Sequence, residues 1–169
     1  MTGTPPAYRL GVISDTHGRL SNQVFEIFSG VNLILHAGDI GAEEVLIALE
    51  AIAPVCAVAG NVDGYSNTGR RPLTRELTTP AGRIALTHGH LPGAPSNNRH
   101  KLIAYFTRFK PEIIVFGHSH VPCLEELAEV ILFNPGSASL NRWGRKNTVG
   151  LITARPAAGR PVFEHVEIQ

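Results

Sequence analysis

Cysteine is scarce in this sequence. The 169 residues include two, Cys56 and Cys123, each inside an apolar segment. Two thiols so placed build neither a disulfide framework nor a zinc knuckle. They read as buried and reduced, and the expected compartment is the cytoplasm. Charge of one sign is lacking too. Fifteen Lys and Arg against 14 Asp and Glu leave a net charge near +1, with the cations scattered. That excludes an electrostatic footprint for nucleic acid or an anionic membrane, but not a nucleotide as a small substrate. No apolar run approaches the roughly 20 residues of a membrane helix. The opening MTGTPPAYRL has neither the basic region nor the apolar core of a signal peptide. Residues 1–7 are expected to be a loose tail ahead of one domain over 8–169.

What is present is a regular alternation. At 43% hydrophobic and 17% charged, the composition is globular. YRLGVIS (8–14), VNLILHA (31–37) and PVCAVAG (54–60) read as buried strands. Between them, 20–30 places Leu20, Val24, Ile27 and Phe28 at helical spacing before Gly30, and 42–52 is an amphipathic helix with acids in its first turn. Such alternation predicts right-handed crossovers and a mainly parallel sheet. The second half differs. Residues 73–89 read as two strands around a Pro-Ala-Gly turn, 98–109 as a helix closed by Pro111, and PEIIVFG as a buried strand. Hairpins are expected over 123–137 and 147–168. The fold class is α/β, of mixed α+β character: two sheets face to face with helices outside.

The chemistry lies at the ends of the strands, where open α/β sheets carry their sites. The first is followed by Asp15 and His17, the second by Asp39, and the third by Asn61 and Asp63. Later strands are followed by His88 and His90, then by His118 and His120, and FNPGSAS adds Asn134 and Ser137. Packing does not call for carboxylates and imidazoles at successive strand ends, because a buried Asp without a partner is costly. Neighbouring carboxylates repel unless a cation lies between them. Imidazole and carboxylate donors suit Zn, Mn, Fe or Ni. Seven donors are too many for one tetrahedral ion and about right for two sharing a carboxylate, roughly 3.5–4 Å apart. Gly38, Gly60, Gly89 and Gly117 stand beside the donors and let the backbone turn sharply there.

The ordered set Asp15-Thr16-His17, Gly38-Asp39, Gly60-Asn61-Val62-Asp63, His88-Gly89-His90 and Gly117-His118-Ser119-His120 resembles the calcineurin-like metallophosphoesterase superfamily. Small size and the NPGSAS stretch are similar to its small phosphodiesterase branch, to which a eukaryotic retromer subunit is related. The resemblance implies a four-layer αββα sandwich. It implies one ion held by Asp15, His17, Asp39 and His120, and another held by Asp39, Asn61, His88 and His118. Asp39 bridges, and Thr16 and Ser119 are mere spacers. Mn is the expected metal, with Fe, Ni or Zn as alternatives. The implied reaction is hydrolysis of a small-molecule phosphodiester by a bridging hydroxide. Asp39, Asn61, Asp63 and His90 are the candidate catalytic residues, with a loop hydrogen bond as the other reading of Asp63.

One position departs from the family pattern. Where many members carry a histidine thought to protonate the leaving oxygen, this chain has Val62. Help of that kind is worth about 10²–10⁴-fold, so poor leaving groups should suffer most. His90 supplies part of it, or else orients the site or contacts phosphate. Outside the set, His36 reads as a core histidine or as one that supports the site, and His100 and His165 as surface residues. Arg99, Arg142 and Arg145 read as solvated cations or phosphate contacts, and Trp143 carries no reading. Two other functions stay open: a phosphomonoesterase, and a non-catalytic binding scaffold like the retromer subunit. A homo-oligomer is allowed by analogy.

Overall fold

A computed structural model describes residues 6–65, 70–139, 144–155 and 159–169. Arg142, Trp143 and residues 1–5 of the expected tail lie outside them. The elements run β1 (Tyr8–Ile13), α1 (Gln23–Ile27), β2 (Leu33–His36), α2 (Glu43–Glu50), β3 (Val55–Ala57), β4 (Thr74–Thr79) and β5 (Gly82–Thr87). They continue with β6 (His90–Leu91), β7 (Ala94–Pro95), α3 (Arg99–Tyr105), β8 (Ile113–Val115), β9 (Cys123–Leu127), β10 (Val130–Asn134), β11 (Asn147–Ala154) and β12 (Val162–Ile168). A 3₁₀ turn spans Asp63–Tyr65.

Two five-stranded sheets form, ordered β12-β11-β1-β2-β3 and β4-β5-β8-β10-β9. In the first, β1, β2 and β3 are parallel, as the alternation requires, and the β11–β12 hairpin adds antiparallel strands beside β1. In the second, β5, β8 and β10 are parallel, flanked by antiparallel β4 and β9. Both sheets are therefore mixed.

The period of two along each strand sorts side chains into layers. Leu10 and Val12 of β1, Ile84 and Leu86 of β5, and Ile113 and Val115 of β8 meet between the sheets. Ile13 faces the other way, onto Val24 of α1 and Phe28 at its C-terminal end, and onto Val45, Leu46 and Leu49 of α2. Ala85, Ile114 and Leu132 face Leu102 and Phe106 around α3. Three cores separate four layers, in the order helices, sheet, sheet, helix.

The helices are shorter than their apolar spacing predicts. Around α1, Val24 and Phe25 bond back to Ser21 and Asn22, three residues earlier, so 20–30 is a short helix flanked by tight turns. The β6–β7 hairpin is too short to leave any periodicity in the sequence.

Candidate metal centre

The loops after β1, β2, β3, β5 and β8 open at one end of the two sheets and converge. One oxygen or nitrogen from each of Asp15, His17, Asp39 and His120 lies within 4.8 Å of all the others. His120 Nε2 is 3.1 Å from Asp15 Oδ1, yet the pair is not aligned as a hydrogen bond. Asp15 Oδ2 is occupied: it accepts from the Ser14 hydroxyl at 2.6 Å and from the His118 amide at 3.2 Å. Oδ1 is left buried with no hydrogen bond, as is Nε2 of His17.

A second group sits beside the first. His88 Nδ1 lies 2.7 Å from the carbonyl of Ala37, which can only accept, so the neutral ring carries its proton there. The Nε2 lone pair then faces Asn61 Oδ1 at 3.0 Å and Asp39 Oδ1 at 3.4 Å. Asn61 Oδ1 also lies 3.1 Å from Nδ1 of His118. Asp39 belongs to both groups: Oδ1 faces His88, and Oδ2 lies 3.9 Å from His17 Nε2. Thus His118 and His120, one residue apart, turn to different groups. Their rings pack against His88 and His17, with centroids 5.1 and 5.5 Å apart.

Carboxylate, amide and imidazole electron-pair donors that converge in this way fit cations. Burial, the largest influence, lowers the pKa of His17 and His118 and keeps both rings neutral. Burial alone would raise Asp39, but the hydrogen bond and charge of His88, the Val62 amide and His17 outweigh it, and its carboxyl falls to about 2. Burial would likewise lower His88, but Asp39 and Asp15 outweigh it and raise its pKa. Asp15, Asp39 and His88 are buried, whereas Asn61 and His118 are exposed, which leaves one face open to solvent.

Five of the seven donors take left-handed backbone: Asp15 (φ 55°), His17 (46°), Asp39 (53°), His118 (71°) and His120 (58°). Such φ values cost roughly 1–2 kcal/mol in non-glycine residues. Of the four glycines, Gly38 and Gly89 have positive φ. Gly60 and Gly117 instead provide room. A Cβ at Gly117 would strike the Ser14 hydroxyl and lie 2.8 Å from Asp15 Oδ2, and one at Gly60 would strike Asp39 Oδ1.

Asp63 is buried and bonded to backbone. It accepts from the amides of Gly60 (2.7 Å), Gly41 (3.0 Å) and Ile40 (3.2 Å), tying the β3 loop to the β2 loop. His90 stands beside the second group, its ring 5.3 Å from His88 and 6.3 Å from His118. Its Nδ1 is buried without a hydrogen bond.

Thr16 and Ser119 are more than spacers. The Thr16 hydroxyl donates to the Ile40 carbonyl at 2.9 Å and accepts from His36 Nε2 at 3.0 Å, while His36 Nδ1 accepts from the Gly38 amide at 3.2 Å. Ser119 Oγ accepts from the Asn134 amide at 3.1 Å and from the Val121 amide at 3.3 Å. Of the two readings of His36, core or supporting, the contacts favour the second, since it bonds Thr16 and Gly38 beside His17 and Asp39. Small hydroxyls next to Asp15, His17, His118 and His120 (Ser14, Thr16 and Ser119) were the available signal for these anchors. Arg99 does not enter the site. It bonds Glu125 at 3.2 Å and lies 4.8 Å over the Phe116 ring. His165 is exposed, but its ring stacks on Phe133 at 4.8 Å.

Residues 8–156 match the model of the calcineurin-like phosphoesterase superfamily domain. A probable metallophosphoesterase of Methanothermobacter thermautotrophicus is 35% identical over 138 residues, covering 79% of this chain and 78% of its own length. Phosphodiesterase YfcE of Escherichia coli K12 is 31% identical over 172 residues, covering 85% and 86%. The solved structure of vacuolar protein sorting 29 from Cryptosporidium parvum is similar in fold, with a TM-score of 0.76 at 20% identity over 96% of this chain and 98% of its own.

Proposed function

This chain belongs to the calcineurin-like phosphoesterase superfamily, and we propose that it is a phosphodiesterase dependent on two divalent cations. The observation that carries this is the double role of Asp39, whose two oxygens face two separate imidazole groups. Asp15, His17, Asp39 and His120 would hold one ion, and Asp39, Asn61, His88 and His118 the other. When bound, such ions supply a water of lowered pKa and neutralise charge building on a phosphate; Mn²⁺ is the ion we expect. The protein's own part is preorganisation. Asp63 holds the loops of Asp39 and Asn61 in register, and Ser14 fixes Asp15 so that Oδ1 alone points inward.

His90 is assigned to the leaving group. Burial lowers its pKa most, with His88 and His118 adding to this, so its ring is neutral at pH 7 and carries one N–H. A neutral ring donates a hydrogen bond to a phosphate or leaving oxygen better than it delivers a full proton. The Val62 side chain offers no donor in that region. His90→Ala should therefore cost more on an alkyl than on an aryl diester, and equal losses would remove the role. The two free thiols support assigning the single domain of 8–169 to the cytoplasm.

A second reading, a scaffold that binds protein partners, draws on the likeness to vacuolar protein sorting 29. All seven donors are intact here, which favours the enzyme over the scaffold, because a scaffold has no need to keep them. The deciding experiment removes metal, restores Mn²⁺ and follows hydrolysis of bis-p-nitrophenyl phosphate and of the corresponding monoester. Activity on the diester that returns with metal and vanishes in Asp39→Ala supports the proposal. Preference for the monoester makes the protein a phosphomonoesterase. Folded protein inactive with Mn²⁺, Fe²⁺, Ni²⁺ and Zn²⁺ supports the scaffold.

A further inference from the structure

The segment 134–139, from the last residue of β10 into the loop beyond it, grips both halves of the site. Asn134 is fully buried. Its Oδ1 accepts from the Gly136 amide at 2.8 Å, and its Nδ2 donates to the Gly117 carbonyl at 3.0 Å and to Ser119 Oγ at 3.1 Å. A backbone donor on one side and a backbone carbonyl on the other allow the amide only one orientation. Gly117 and Ser119 bracket His118 and precede His120, so this amide braces the loop that bears one donor of each group. That loop needs a brace, since His118 and His120 both sit at positive φ.

The same segment continues to the other wall. Ser137 Oγ and Ser139 Oγ both donate to the Asp15 carbonyl, at 3.1 and 3.0 Å, and the Ala138 amide donates to the Ser14 carbonyl at 3.0 Å. From behind, His165 Nε2 of β12 donates to the Asn134 carbonyl at 2.7 Å. The segment 134–139 is thus bonded to the Asp15 loop from the first sheet and to the His118–His120 loop from the second. Neither sheet alone sets the separation of those loops.

We propose that Asn134 is a positioning residue for the paired cations: through Ser119 it sets the His118–His120 loop at the separation from Asp15 that lets both groups close on their ions. This rests on the two-cation reading above. Asn134 touches no reacting atom, and its effect belongs in metal affinity before it appears in turnover. Changes to groups that orient metal ligands typically cost about 10–100-fold in affinity.

The test is a Mn²⁺ titration of metal-stripped full chain against a chromophoric chelator, with stoichiometry from elemental analysis. Each variant is first shown to be folded by circular dichroism. Wild type should take up two ions. Asn134→Ala should lose about 10–100-fold in affinity. Ser119→Ala, an exposed change with little reason to unfold the chain, should lose affinity in the same direction, and Ser119→Thr, which keeps the hydroxyl, should restore it. The double variant should lose no more than Asn134→Ala alone, because both act through one contact. If Asn134→Ala does not fold, the Ser119→Ala and Ser119→Thr pair decides. Wild-type affinity in folded Asn134→Ala, or in Ser119→Ala, overturns the proposal while leaving the two-cation reading intact. A wild type that binds no divalent ion overturns that reading, and this proposal with it.

Discussion

At the scale of single residues, the site is built from side chains held where their chemistry alone would not leave them. His36 is fully buried between the Thr16 hydroxyl and the Gly38 amide. Burial, the largest influence, brings its pKa from 6.5 down to about 4. The folded ring is neutral where the unfolded ring begins to take a proton. Stability from this group is therefore complete above about pH 6.5 and is lost as pH falls toward 4, by about 3 kcal/mol in all. Urea denaturation of wild type and His36→Gln at stepped pH should show this limb in the first and a flatter one in the second. His17 shows the backbone side of the same economy. Its φ of 46° suits glycine better than alanine. His17→Gly should be more stable than His17→Ala by about 1 kcal/mol, the reverse of the usual order, in metal-free thermal melts.

At the scale of elements, close packing fixes where glycine must stand. Gly11 lies in β1 facing α1, and a Cβ there would come within 2.9 Å of the Phe28 ring. Phe28 is fully buried and has no free direction to move. Gly11→Ala should cost about 1–3 kcal/mol by overpacking, and a further Phe28→Leu should recover part of it. The α3 helix is short and starts on Asn98, whose side chain accepts from the Lys101 amide at 3.1 Å. Asn98→Ala should cost about 1 kcal/mol and Asn98→Ser almost nothing, both read by chemical denaturation.

At the scale of the whole molecule, three apolar cores lie between the layers and none includes a donor residue. The fold should therefore persist without metal, unlike small domains that unfold when stripped of it. Cations that bind only the folded chain still stabilise it, by about 2.7 kcal/mol at 100 times their dissociation constant. Added Mn²⁺ should raise the melting temperature of wild type and leave Asp39→Ala unmoved. Because Asp39 and Asp15 raise the pKa of His88, a proton competes for Nε2. Mn²⁺ affinity should fall as pH drops through and below neutrality, which titrations at several pH values will show.

The layered order, and a group of Asp, Asn and His residues at the strand ends, were legible in the sequence. Alternation along β1, β5 and β8 separates the inner core from the outer ones, because a strand turns successive side chains to opposite faces. Asp, Asn and His at strand ends were legible as a group because nothing about packing asks for them there. Tertiary structure alone decided how the donors are held. Asn134 and Ser119 are 15 residues apart, Ser139 and Asp15 are 124, and no local pattern relates such pairs. Nor do spacings show that five donors take left-handed φ, that Gly60 and Gly117 stand where a Cβ would strike a carboxylate, or that each oxygen of Asp39 faces its own imidazole. Periodicity reports which face of an element is buried. Hydrogen bonds between loops of different sheets depend on where those elements meet, and only the packed molecule sets that.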